Sequence, residues 1–194
     1  MKKKNEVAHY LEITSFIEAQ LNSNFLAKRV DNVSIYWKNG ELTSKIKELM
    51  VEHPEKCSCL QTFCRNTPPL NTDIFGVITN GQKFEIVILE VKLRENVGLA
   101  EWSQLLGYSV VSNAKFGLLI NIDAGASSRL SGILASEVDI SKVLRRKANG
   151  EEVEHLLGFM QWNTLTQNFE YSNLGHLCSL SAMSNLLIAQ FMVT

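Results

Sequence analysis

Hydrophobic and polar positions along the chain predict a succession of short elements. Between residues 5 and 22, Val7, Leu11, Ile13, Phe16, Ile17 and Leu21 fall in a helical stripe. Val33, Ile35 and Trp37 alternate as in a strand, and Lys38-Asn39-Gly40 then reads as a turn. Residues 43–52 carry Ile46, Leu49 and Met50 at helical spacing and stop before Pro54. The stretch 53–70, with Pro54, Pro68, Pro69 and three cysteines, predicts a loop. Two strands follow, about 73–79 and 83–92, on either side of Asn80-Gly81. A helix over about 99–113 presents Leu99, Trp102, Leu106 and Val110, and residues 116–122 form an apolar strand. Strand, helix and apolar strand in that order predict a crossover between parallel strands, covered on both faces.

Beyond Asp123 the pattern predicts a serine-rich loop, a helix near 139–147 and a turn at Asn149-Gly150. Strands at 155–162 and 168–171 come next. The apolar run from Leu174 to Val193 is interrupted by Gly175, His176, serines, Asn185 and Gln190. It fits a buried terminal helix better than a membrane span. There is no internal repeat, low-complexity tract or linker, so one α/β domain over residues 1–194 is expected, with its core motif region at about 43–123.

Composition narrows the function classes. Charged residues are 20% and hydrophobics 45% of the 194, a globular balance, with a net charge of -1. Such a chain is a poor nonspecific polyanion binder, although a local groove or a bound metal ion would supply positive charge where it is needed. The basic clusters Lys2-Lys3-Lys4, Lys28-Arg29 and Arg145-Arg146-Lys147 read first as solvated surface. The basic N-terminus runs into an amphipathic pattern without a signal-peptide core, which predicts a cytoplasmic location and no membrane partner.

The chemistry concentrates in residues 71–108. Asp73 opens an apolar strand, and the next strand ends in Glu90-Val91-Lys92. Charge in an apolar strand is costly unless something compensates it. Side chains alternate along a strand, so Glu90 and Lys92 point the same way, roughly 7 Å apart. A two-residue turn at Asn80-Gly81 pairs Thr79 with Gln82 and sets Asp73 opposite Ile88, diagonal to Glu90 on the same face. A three-residue loop would reverse that parity and separate the carboxylates.

An acid on one strand, Glu-x-Lys on the next and then a crossover helix together resemble the core of the PD-(D/E)XK nuclease superfamily, the restriction-endonuclease-like fold. Gln104-Leu105-Leu106-Gly107-Tyr108 is similar to the Gln-x-x-x-Tyr helix signature of its RecB and lambda-exonuclease branch. The resemblance covers about residues 71–123. It implies a central mixed sheet flanked by helices and Mg²⁺- or Mn²⁺-dependent hydrolysis of DNA. Asp73 matches the family aspartate, with Thr72 in place of the usual preceding proline. Glu90 matches the second metal ligand, the Val91 carbonyl a main-chain ligand, and Lys92 the lysine that positions or activates water. Gln104 and Tyr108 match the helix pair. A further glutamate is expected from the helix before the aspartate strand; Glu48 is the first choice and Glu41 the second. Two carboxylates and a carbonyl suit Mg²⁺, which takes oxygen ligands and keeps waters. The alternative implied function is a catalytically inactive nuclease-fold module that binds nucleic acid or a protein. Without the resemblance, Asp73 reads as a strand cap and Glu90 with Lys92 as an ion pair. Oligomeric state is left open, a homodimer included.

Cys57, Cys59, Cys64 and Cys178, near His53 and His176, are weighed as an iron–sulfur or zinc site and not expected to form one. Cys-x-Cys is tighter than common zinc spacing. The iron–sulfur nucleases of the RecB type place one cysteine before the core and three after, the reverse of the order here. His9 and His155 complete no zinc-hydrolase motif, and the chain has neither a glycine-rich phosphate loop nor a nucleophile elbow.

Overall fold

The computed structural model describes residues 5–147 and 150–192, without the side chains of 171–173. Lys2-Lys3-Lys4, Asn149 of the expected turn and Val193 at the end of the expected helix lie outside these residues. Seven strands build one mixed sheet: β1 (Ser34–Glu41), β2 (Asn71–Thr79), β3 (Phe84–Lys92), β4 (Phe116–Ile122), β5 (Lys142–Arg146), β6 (Glu152–Asn163) and β7 (Asn168–Gly175). Their order is β1-β2-β3-β4-β6-β5, with β7 also paired to β6. The β1-β2-β3 meander is antiparallel, whereas β3, β4 and β6 run parallel.

Helices cover both faces of the sheet. On one side α1 (Tyr10–Ala27) buries Ile13, Ile17, Leu21 and Phe25, and α7 (Leu180–Met192) adds Met183, Leu187 and Ile188. The spacing of these residues is the helical period that aims one stripe at the sheet. The other side is covered by α2 (Leu42–Glu52), α5 (Leu99–Ser112), α6 (Ser128–Ser136) and the short α3 (Pro54–Cys57) and α4 (Gln61–Asn66). β4 lies between the two layers and is buried at every position, as its unbroken apolar run predicts.

Several expectations need correction. Lys38-Asn39-Gly40 is not a turn: it lies within β1, where the register shifts between Lys38 and Gly40 and Gly40 takes φ +100. The same turn chemistry here serves a β-bulge. Residues 53–70 are largely helical, in α3, a 3-10 turn at Ser58–Leu60 and α4. Cys57, Leu60 and Cys64 are buried at helical spacing, a period that the prolines and cysteines obscure. The serine-rich segment holds α6, capped by Ser127, whose Oγ accepts the Leu130 N–H at 3.3 Å. The expected helix near 139–147 is a 3-10 turn leading into edge strand β5, whose partner β6 supplies the ladder. Leu174 and Gly175 end β7, and the terminal helix begins only at Leu180.

The buried face of α5 is also rotated from the expected one. Trp102, Leu105, Ser109 and Ser112 are buried, while Leu106 and Val110 are only half-buried. Close approach to β4 selects the small residues: a Cβ on Gly117 would lie 2.7 Å from Leu157 Cδ2 and 2.8 Å from Ser109 Oγ. Gly117→Ala is therefore expected to lower stability by about 1–3 kcal/mol through overpacking. Urea unfolding checks this, and an unchanged midpoint would mean that α5 is not seated this closely.

Candidate active site

The hairpin that brings the charges together differs from the simplest two-residue form. Thr79 pairs with Phe84, so residues 80–83 form the connection. The Asn80 Oδ1 accepts the Gln82 and Lys83 N–H groups at 3.0 and 2.8 Å, which fixes the loop from its first residue. Two added residues preserve parity, so Asp73 stays on the face of Glu90 and Lys92. The ladder ends at Ile74–Leu89. One more step in this register sets Asp73 opposite Glu90, not diagonal to it. There the Asp73 carboxylate takes over from the main chain, its Oδ2 accepting the Val91 N–H at 3.1 Å.

Lys92 links the two carboxylates. Its ammonium lies 3.1 Å from Asp73 Oδ2 and contacts Glu90 Oε1. Glu90 has 0% exposure, and beyond the Lys92 contact at Oε1 its oxygens have no hydrogen-bond partner among the described residues. Burial raises its pKa, Lys92 opposes the rise, and the charge of Asp73 adds to it. Burial works to lower the Lys92 pKa, but hydrogen bonding and charge from Glu90 and Asp73 outweigh it and raise the value overall. Lys92 is thus held as an ammonium.

The surrounding residues were only partly legible. Tyr10, at the start of α1, reaches Asp73 from the opposite layer. Its phenol pKa is raised by burial first and then by the Asp73 charge. No local signal in the sequence marks this contact across 63 positions. Asn121, next to Lys92 in the β3–β4 register, is fully buried. Its amide bonds the Arg94 N–H and carbonyl and the Gly125 carbonyl, fastening the loop after β3. A lone asparagine in the apolar run of β4 was the available signal. Glu101 accepts the Gly98 N–H at 2.9 Å, which with the nearby Arg94 and Lys92 charges lowers its pKa despite partial burial.

Other expected members stand apart. Glu48 does not join the pair: its exposed carboxylate is held by Lys45, both oxygens at 2.8 Å. Glu41 instead caps α2 by accepting the Thr43 and Ser44 N–H groups. Burial would raise its pKa, but hydrogen bonds from the side chains of Ser44 and Thr43, with those N–H groups, bring it down to about 2. Gln104 and Tyr108 pair with each other at 2.9 Å on the exposed side of α5. Among the described residues, no three His, Cys, Asp or Glu side chains gather to hold a metal ion. Cys64 donates to the Thr43 carbonyl, Cys59 to that of Lys56, and burial pushes the Cys57 thiol up to about 11. Cys178 is a half-buried free thiol before α7. Of the basic clusters, Arg145 bonds the Val110 carbonyl at the end of α5. No described helix is long and apolar enough to cross a membrane.

Comparison with known proteins returns no matching family model, curated protein or solved structure.

Lys92→Met leaves Glu90 buried without its cation. A loss of about 3 kcal/mol is expected at pH 8, as for other broken buried pairs. Without Lys92 the folded-state pKa of Glu90 rises further above its unfolded value. Between those values the native state keeps a proton that the unfolded state has lost, so stability falls as pH rises. Denaturation at pH 5 should therefore show a smaller loss than at pH 8. An equal loss at both would assign the role of Lys92 to packing.

Proposed function

We propose that this protein hydrolyses phosphodiester bonds in DNA, using Mg²⁺ or Mn²⁺ as cofactor. The observation that carries the reading is the convergence of Asp73, Glu90 and Lys92 at the end of the β2–β3 hairpin, with Glu90 buried there. The crossover from β3 through α5 to parallel β4 is the arrangement expected from the PD-(D/E)XK resemblance. DNA as the substrate rests on that resemblance.

The donor set fits a hard divalent cation. Asp73 and Glu90 offer carboxylates, Val91 the main-chain carbonyl expected to join them, and Mg²⁺ commonly takes one or two carboxylates while keeping waters. Buried Glu90, whose Oε2 has no hydrogen-bond partner among the described residues, favours the same fit. When bound, the ion supplies Lewis acidity and lowers the pKa of water. The protein's own groups do the positioning. Asp73 and Glu90 would hold the cation and through it set the place of the reacting phosphate. Lys92, beside both carboxylates, would position water or stabilise phosphate charge by donating from Nζ. Gln104 and Tyr108, one turn apart on α5, position substrate beyond the charged cluster.

A second reading has its own support. Lys92 already bridges both carboxylates, and Glu48 does not complete the set. A nuclease-fold module that binds nucleic acid or a protein without cleaving would look like this. Plasmid, linear and single-stranded DNA incubated with Mg²⁺ or Mn²⁺ separates the two. Cleavage should be lost with EDTA and fall about 100-fold or more in Glu90→Gln and Lys92→Ala. Gln104→Ala and Tyr108→Phe should weaken cleavage while leaving stability nearly unchanged. Intact DNA in all arms, or cleavage indifferent to Glu90→Gln, would leave the non-catalytic module as the reading.

A further inference from the structure

Residues 93–98 lead from Lys92 to α5 alongside the segment that follows β4, and main-chain bonds join the two. The Val97 N–H donates to the Gly125 carbonyl at 3.3 Å, and the Ser127 N–H donates to the Val97 carbonyl at 2.8 Å. Asn121 completes the join from inside β4. Its Oδ1 accepts the Arg94 N–H at 3.2 Å, and its Nδ2 donates to the Arg94 and Gly125 carbonyls, each at 3.1 Å. Both main-chain polar groups of Arg94 are therefore held by one side chain that has no exposure. In an open loop water would satisfy them as well. What the buried amide adds is a fixed position for Arg94.

The guanidinium on this fixed base is left outside. The side chain is 64% exposed, and its ion-pair partner among the described residues is Glu101 on α5, with Nε 3.8 Å from Oε1. That contact is long, and an exposed pair of this kind contributes little. The other Glu101 oxygen already accepts the Gly98 N–H. The contact also places the guanidinium on the face that α5 covers. Ile86 and Ile88 pack in the same layer as Trp102 and Leu105, so strand alternation puts Glu90 and Lys92 on that face too. Arg94 follows Lys92 by two residues, at most about 7 Å of chain.

A polyanion needs positive charge at this place. Lys92 is engaged by Asp73 and Glu90. Arg94 helps to line a cleft of about 340 Å³ in which Glu95 and Asp123 add acid. A net charge of -1 gives little general attraction. A guanidinium suits the task, because its planar fork matches two phosphate oxygens at once.

We propose that Arg94 binds a backbone phosphate of the substrate, next to the phosphate placed at Asp73, Glu90 and Lys92, and gives up its contact with Glu101 to do so. The proposal rests on the nucleic-acid reading of the charged cluster. It adds that the substrate carries a phosphate on a neighbouring nucleotide, so that a lone phosphodiester is an incomplete ligand.

The salt dependence of binding tests this. The full chain carrying Glu90→Gln is titrated in Mg²⁺ into a fluorescein-labelled oligonucleotide, single-stranded and duplex, and anisotropy is read from about 50 to about 200 mM salt. Adding Arg94→Ala is expected to weaken binding about tenfold at the low end. It should also flatten the slope of log affinity against log salt by about 0.7–0.9, the share of one phosphate contact. Arg94→Lys should keep the slope and lose part of the affinity, since it keeps the charge without the fork. Arg65→Ala is the control. Its helix α4 lies at the other end of β3, where Phe63 meets Phe84 with ring centroids 5.6 Å apart, and it should change neither quantity. A purely structural role for Arg94 would move the urea midpoint and leave the slope alone.

An unchanged slope in Arg94→Ala overturns the proposal. So does an equal change in Arg65→Ala, or no binding of either oligonucleotide by the starting chain. Cleavage by the wild-type chain is scored separately. A flattened slope without cleavage keeps the Arg94 contact and rejects hydrolysis, whereas cleavage with an unchanged slope keeps hydrolysis and rejects the contact.

Discussion

The burial of Glu90 beside Lys92 is the constraint around which the centre of this protein is arranged. A carboxylate with no exposure, near the end of an interior strand of a seven-stranded sheet, is unfavourable unless a cation compensates it. Lys92, two residues on and on the same face, supplies that cation, and Asp73 shares it from the neighbouring strand. Replacing the cluster with apolar side chains would cost a fold of this kind little and could stabilise it.

The rest of the architecture serves that cluster. The β2–β3 connection keeps the parity that puts Asp73 and Glu90 on one face. The ladder then stops, leaving the Asp73 carboxylate to bond the Val91 N–H. Asn121 clasps the loop after β3 from the adjacent strand. The ends of β3, β4 and β6 carry Lys92, Asn121 and Gln161 in one register row. This is the edge of parallel strands where α/β sheets commonly bind ligands. Tyr10, in the α1 layer, lies near enough for the Asp73 charge to raise its pKa.

Much of this was legible in the sequence because it depends on local rules. Strand alternation put Glu90 and Lys92 together, and Asn80 announced the hairpin although the loop has four residues. The unbroken apolar run of β4 gave a strand covered on both faces. What stayed hidden depends on tertiary context. The seating of α5 follows from Gly117 and Ser109, small residues that carry no hydrophobic signal. The helices at 54–66 follow a period visible only when cysteines are counted as apolar. β5 has too little burial to leave a pattern and exists because β6 offers a ladder. Tyr10 reaches Asp73 by packing across the sheet edge, and Glu48, chosen from its place on α2, turns instead to Lys45.

Central to this account is that Asp73 and Glu90 exchange the Lys92 ammonium for a divalent cation. The most direct test is a crystal of the protein soaked in Mn²⁺ at millimolar concentration, measured for anomalous scattering. The account predicts one strong peak between the Asp73 and Glu90 carboxylates, about 2.0–2.3 Å from their oxygens, with Lys92 Nζ withdrawn from Asp73. The same crystals with no peak there, and Lys92 still bridging both carboxylates, would contradict it.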